Sequence, residues 1–287
     1  MRLANLLLRD GRRVLAVGSE HGRLIDVSEI SSDRVNSVRD AVRRGPGYME
    51  ELGRLARTTP AINNGQIEAF LPLTEPDSKI FCVGLNYTSH AVELGQEVPK
   101  QPSIFCRYAS TCVGHEQAIL VPRSSSAVDW EGELAVVIGR SIKNVGEPDA
   151  MAAIAGATCF NDVSIRDFQE RLPRITLAKN FDASGPIGPW LTTMDEVGDI
   201  NKLRLITRVN GKVMQDASTA EFIFSLEYLI DLISQACELR PGDVIATGTP
   251  GGVAWKRTPQ CYLKEGDAVE VDIERVGVLE NFVRREA

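Results

Sequence analysis

The chain opens with apolar runs at residues 3–8, 13–18 and 23–27, separated by Asp10-Gly11 and His21-Gly22. Both dipeptides are hairpin turn pairs, so residues 1–30 predict a short β-meander. A polar stretch over 31–57 predicts helix, interrupted at Gly45-Pro46-Gly47. Pro72, Glu75 and Pro76 then mark a boundary before a new strand at 79–83. The organisation expected is a small N-terminal domain, 1–75, followed by a main domain, 76–287. In the main domain, ELAVVIG (133–139) predicts a buried strand, and residues 151–160 suit helix or strand. RLITRVNGKVM (204–214) carries the Asn210-Gly211 hairpin signal, and 243–248 and 268–281 predict further strands, the last with clean period-two alternation. One helix is expected over 225–237, with Leu226, Leu229, Ile230 and Ile233 on one face. Strands outnumber crossover helices, which argues against a doubly wound parallel sheet.

Composition narrows the classes. Of 287 residues, 43% are hydrophobic and 25% charged, an ordinary globular balance. A net charge of −7 argues against nucleic acid as the main partner, because phosphate binding needs a positive field. The six cysteines form no CxxC pair and lie in hydrophobic stretches, the pattern of reduced thiols. The apolar run at the start is too short for a signal peptide, and no stretch reaches the roughly 20 apolar residues of a membrane helix. A soluble, cytoplasmic protein is the expectation.

Three segments carry candidate chemistry. In DWEGELAVVIG (129–139), Glu131 and Glu133 share a strand face and would repel unless a cation or protons lie between them. Oxygen ligands with few histidines suit Mg²⁺, Mn²⁺ or Ca²⁺, although a lone E-x-E is more often a solvated strand edge. Asp162 follows the apolar run IAGATCF and would supply a third carboxylate, with Asp167 either a ligand or an arginine's partner. In GLNYTSHAVELG, a helix would bring His90 and Glu93 onto one face, the arrangement of a carboxylate-oriented general base. Gly84 and Gly95 on either side would suit a mobile lid. Lys179, in LAKNFD, would stabilise negative charge if buried, or else be an ordinary surface lysine. TGTPGG (247–252) is either a simple turn or a cradle whose N–H groups hold a carboxylate or phosphate.

Taken in order, VGLNYTSHAVE, DWEGELAVVIGR, FNDVSIRDFQ, LAKNFD, VNGKVMQ and GDVIATGTPGGV resemble the fumarylacetoacetate hydrolase superfamily over residues 79–283. The resemblance implies an α+β fold, a mixed β-roll with a small N-terminal α/β domain, and commonly a homodimer. It implies a metal triad of Glu131, Glu133 and Asp162, a water-activating dyad of His90 and Glu93, and an active-site Lys179. Arg166, Gln169 and Thr249 match substrate-contacting or dyad-supporting positions. Where many relatives have P-x-x-F-x-K-P, this chain has Pro102 to Tyr108 with Arg107 for the lysine, a substitution that bears on substrate choice. Trp130 stands for the usual tyrosine, and Ile165 for a commonly small residue, narrowing the pocket.

The function this implies is hydrolysis of a carbon–carbon bond in an acylpyruvate- or fumarylpyruvate-type β-diketone. The metal would chelate the 2-keto acid end and stabilise the enolate leaving group. The alternative on the same site is decarboxylation of a β-keto acid such as oxaloacetate, or a lyase, hydratase or isomerase reaction. A metal-stabilised binding protein is the non-enzymatic reading, against which an intact His90, Glu93 and Lys179 weigh.

Overall fold

The computed structural model describes residues 1–18, 23–28, 35–172 and 175–287. The expected turn at His21-Gly22 lies outside them. The first hairpin forms as the pattern predicts, with strands Arg2–Leu8 and Arg13–Gly18 antiparallel and Gly11 at φ 85° in the turn. The polar stretch gives two helices, Val38–Arg43 and Pro46–Ala56, and the Gly-Pro pair separates them because Pro46 sits where a helix can begin.

Two sheets make up most of the fold. The larger runs, in spatial order, Leu24–Asp26, Arg13–Gly18, Arg2–Leu8, Gly185–Thr193, Ile154–Asn161, Gly132–Ile138, Val244–Ala246, Ile80–Gly84 and Ser103–Arg107. The second has five strands, Lys212–Ser218, Arg204–Val209, Ala268–Ile273, Gly277–Arg285 and Ala118–Val121. Most pairings are antiparallel, but Val244–Ala246 runs parallel to Ile80–Gly84, and Gly277–Arg285 parallel to Ala118–Val121. The α+β class with mixed sheets and a minority of helices is what the sequence predicts. The run 268–281 is not one strand, however. It breaks into two that pair with each other, because Arg275 (φ 62°) and Gly277 (φ 155°) reverse the chain there.

Strand Gly132–Ile138 is buried throughout, which explains why it reads as a continuous apolar run rather than an alternating one. Leu134, Val136 and Ile138 pack toward the five-stranded sheet and the helix Leu226–Ala236, against Leu205, Val271, Leu229 and Ile233. Ala135 and Val137 face the opposite core, shared with Leu3, Leu15, Val38 and Leu52 of the N-terminal segment. The helix Leu226–Ala236 is capped by Ser225 Oγ, which accepts from Tyr228 N–H at 3.2 Å. Asn210 and Gly211, both at positive φ, make the predicted hairpin between Arg204–Val209 and Lys212–Ser218.

Candidate active site

The carboxylates sit where buried strands end. Glu133 lies within strand Gly132–Ile138, Glu131 immediately before it, and Asp162 just beyond strand Ile154–Asn161, which pairs with the first. Ligand oxygens of the three lie within 4.8 Å of one another, and all three residues are buried. Asn161 Oδ1 accepts from Glu131 N–H at 3.0 Å, and Asp162 N–H donates to Glu131 O at 2.8 Å, so the two strand ends are stitched together.

Cations surround two of the three. Lys179 Nζ, at the end of the short helix Thr176–Lys179, donates to Glu131 Oε2 at 2.5 Å and Asp162 Oδ2 at 2.6 Å. Arg166 reaches Glu131 Oε1 at 2.6 Å, Asp129 Oδ2 at 2.8 Å and Gln169 Oε1 at 2.8 Å. Burial alone would raise the Glu131 pKa, but Lys179 and Arg166 outweigh it and hold the carboxyl at about 2. Glu133 accepts from Gly248 N–H at 2.9 Å, and among the described residues it pairs with no cation. Burial and the adjacent charges of Asp162 and Glu131 push its carboxyl well above the ordinary range.

The chemistry of this donor set fits a hard divalent cation. Four buried carboxylates, those of Asp129, Glu131, Glu133 and Asp162, face three buried cations, Arg107, Arg166 and Lys179. With all ionised, the cluster is left negative, and a divalent ion on the unpaired Glu133 side would reverse its sign. The oxygen-only ligands exclude a preference for soft metals.

The expected dyad is also assembled. Residues Thr88–Glu93 form a helix of six residues, and His90 Nδ1 lies 3.2 Å from Glu93 Oε2. Glu93 Oε1 accepts from Gly252 N–H at 2.9 Å. Burial would raise the pKa of Glu93, but the bonds from His90 and Gly252 lower it overall. The helix is anchored by Asn86, whose Nδ2 donates to Thr247 O at 2.8 Å and whose Oδ1 accepts from Phe224 N–H at 2.7 Å.

A cavity of about 210 Å³ brings together His90, Glu131, Glu133, Asp162, Arg166, Gln169, Lys179 and Thr249. Arg107 is not on its wall. Expected to face the substrate, it stands behind Asp162, donating from Nε to Asp162 Oδ1, from NH1 to Ser184 Oγ (2.9 Å) and from NH2 to Val163 O (2.6 Å). Ile165 lies in an apolar core beside Trp130 rather than narrowing the cavity. Among the described residues Asp167 pairs with no arginine; it accepts from Ser125 Oγ at 2.6 Å and from Phe168 N–H at 3.0 Å. Two N–H groups of the 247–252 loop, those of Gly248 and Gly252, donate to the protein's own carboxylates, Glu133 and Glu93.

Two site residues escaped the sequence reading. Asp129 accepts from Ala254 N–H (2.7 Å) and Trp255 N–H (3.0 Å) as well as from Arg166, tying the loop after the TGTPGG turn to the arginine that holds Glu131. It stands in period-two register with Glu131 and Glu133, and that parity was the available signal. Trp255 lines the cavity beneath the Arg166 guanidinium, 5.2 Å from its ring centre, and nothing in the local pattern marks it.

Residues 79–284 match the sequence model of the fumarylacetoacetate (FAA) hydrolase C-terminal domain. The chain belongs to this family. An oxaloacetate tautomerase from Bos taurus, named as mitochondrial, is 41% identical over 265 residues, covering 91% of this chain and 84% of that protein. A fumarylacetoacetate hydrolase from Exiguobacterium antarcticum superposes with a TM-score of 0.87 at 28% identity over the whole of both chains. A maleylpyruvate hydrolase from Sphingobium gives 0.82 at 26%, again over both whole chains. This fumarylacetoacetate hydrolase family member is therefore an enzyme with an acidic triad able to hold a divalent metal. No helix among its described residues is long and apolar enough to cross a membrane.

Proposed function

We propose that this chain is a divalent-metal-dependent enzyme that transfers a proton on a small 2-keto acid of the oxaloacetate class, interconverting its enol and keto forms. The observation that carries the reading is the convergence of an imidazole, an ammonium, a guanidinium and three carboxylates on a cavity of only about 210 Å³. The substrate class comes from relatives named as oxaloacetate tautomerases, similar to this chain over nine-tenths of its length.

Glu131, Glu133 and Asp162 would hold Mg²⁺ or Mn²⁺. When bound, the cation would supply Lewis acidity that makes negative charge on the substrate's C2 oxygen less costly. Glu93 engages His90 Nδ1, which leaves Nε2 to exchange a proton with C3. From keto to enol, the C3–H bond breaks, its electron pair becomes the C2–C3 double bond, and the C2 oxygen gains a proton. Lys179, buried at the cavity wall, is the donor suited to that oxygen, though it must share its N–H groups with Glu131 and Asp162. Arg166 and the amide of Gln169 suit a substrate carboxylate.

A second reading, hydrolysis of an acylpyruvate, is favoured by the same His90–Glu93 pair, since a carboxylate-backed imidazole also suits deprotonating water. One assay separates them. Purified protein with Mg²⁺ or Mn²⁺ is given oxaloacetate and a panel of acylpyruvates, following enol absorbance alongside pyruvate and carbon dioxide. Proton transfer predicts faster loss of oxaloacetate enol with neither product formed. Pyruvate and an acid from an acylpyruvate support hydrolysis, carbon dioxide from oxaloacetate supports decarboxylation, and no acceleration of any of these sinks the proposal. A homodimer and a cytoplasmic location, both expected from the sequence, belong to the same proposal and are open to light scattering and fractionation.

A further inference from the structure

Gln215, in the sequence segment VNGKVMQ, takes no part in the chemistry above, yet its carboxamide is fully buried beside the site. It belongs to strand Lys212–Ser218 of the five-stranded sheet. Its Oε1 accepts from Gly132 N–H at 3.0 Å, the residue between Glu131 and Glu133. Its Nε2 donates to Thr249 Oγ1 at 2.7 Å and to Pro250 O at 2.8 Å. Thr249 Oγ1 passes the contact on, donating to Gly132 O at 2.9 Å. One amide therefore clamps both sides of the residue between two carboxylates to the middle of the 247–252 loop.

That loop touches both halves of the site. At its start, Gly248 N–H holds Glu133; at its end, Gly251 N–H reaches Ser89 Oγ (3.3 Å) and Gly252 N–H holds Glu93. The clamp is closely fitted, since a Cβ on Gly252 would lie 2.1 Å from Met214 O and one on Gly132 would lie 3.3 Å from Gln215 Oε1. A buried polar group this fully bonded has little freedom to re-pair if either side moves.

We propose that Gln215 is a positioning residue that couples the carboxylate triad to the helix bearing His90 and Glu93, so that filling the triad with a divalent cation orders that helix. The coupling rests on the reading of the triad as a metal site. Fixing Glu133 fixes Gly248; the amide carries that constraint to Pro250; and Gly251 and Gly252 deliver it to Ser89 and Glu93.

Mn²⁺ titration with paramagnetic resonance measures binding, and hydrogen exchange of the peptide spanning 88–94 measures order in the same samples. In the native protein, Mn²⁺ should bind and slow exchange there about tenfold, within the usual range of a coupling free energy. In Gln215→Leu, Mn²⁺ should still bind while the slowing falls below about twofold, an outcome that a merely structural role would not produce. Equal slowing in both proteins overturns the role of Gln215. Mn²⁺ bound to the native protein with no slowing overturns the coupling but leaves the metal site standing, whereas no binding removes the metal reading and the coupling together. Should Gln215→Leu not fold, Thr249→Val, which deletes only the hydroxyl between the amide and Gly132 O, is judged by the same criterion.

Discussion

Arg107 shows how a residue can matter to a site without facing it. Its guanidinium donates in three directions, to Asp162, to Ser184 Oγ and to Val163 O, so Asp162 is held from behind in one orientation. A lysine carries the same charge but only one nitrogen, and cannot span three acceptors spread around a planar fork. Arg107→Lys should therefore lower Mn²⁺ affinity by about 10–100-fold, as loss of support behind a ligand does, while the fold stays intact. Calorimetric titration checks this, and an unchanged dissociation constant would sink it. At this scale the triad was legible because two of its members obey strand periodicity and the third closes an apolar run. The position of Arg107 was not, because it sits on the edge strand Ser103–Arg107, which is not paired with the strand that Asp162 follows, and only the fold brings the two together.

Elements were legible in proportion to how local their signals are. The Asn210-Gly211 hairpin, the capped helix Leu226–Ala236 and the hairpin at Asp10-Gly11 each rest on contiguous residues, and each forms. The break inside 268–281 was missed although the apolar series Val269, Val271 and Ile273 lapses at Arg275 and Gly277, the residues that turn the chain. A contact between elements supplies the pH prediction. His115 Nδ1 accepts from the N–H of Glu280 on strand Gly277–Arg285 at 3.0 Å, its ring meets Phe70 of strand Ile67–Leu71 edge-on at 5.0 Å, and its Nε2 lies 3.8 Å from Glu116 Oε1. Burial lowers its pKa below 6.5, outweighing the opposing effect of Glu116. The unfolded chain thus binds this proton more readily than the folded one. The contribution is intact above about pH 6.5 and is lost as pH falls from there through the lower folded value. Unfolding midpoints in urea should drop between pH 7 and pH 5, and His115→Gln should flatten that part of the profile. An identical slope in the variant would count against the assignment.

For the whole molecule, what local pattern could not reveal is which distant segments share a sheet. The first strand, Arg2–Leu8, pairs with Gly185–Thr193 through Arg2 opposite Thr192 and Leu3 opposite Leu191, partners far too distant in the chain for any spacing rule. The N-terminal ammonium donates to Thr193 Oγ1 at 2.6 Å and pairs with Glu196 at 2.6 Å. Leu3, Leu15, Val38, Leu52 and Leu73 join one buried cluster with Ile80, Ala135, Val137, Phe160, Ile187 and Leu191. The side of the sheet opposite the helix Leu226–Ala236 is therefore covered by residues that precede position 75, and Glu131 and Glu133 share the parity of Ala135 and Val137, which face that same side. Uncovering large apolar side chains costs about 1.5–3 kcal/mol each, and domains are stable by only about 5–15 kcal/mol in all. A fragment comprising residues 76–287 should accordingly show no cooperative thermal transition and bind no Mn²⁺, and supplying residues 1–75 as a separate chain should restore both. Circular dichroism and metal titration read the outcome. A 76–287 fragment that melts cooperatively within about 5 °C of the whole chain would mean the shared cluster is dispensable and the site is held by the later strands alone.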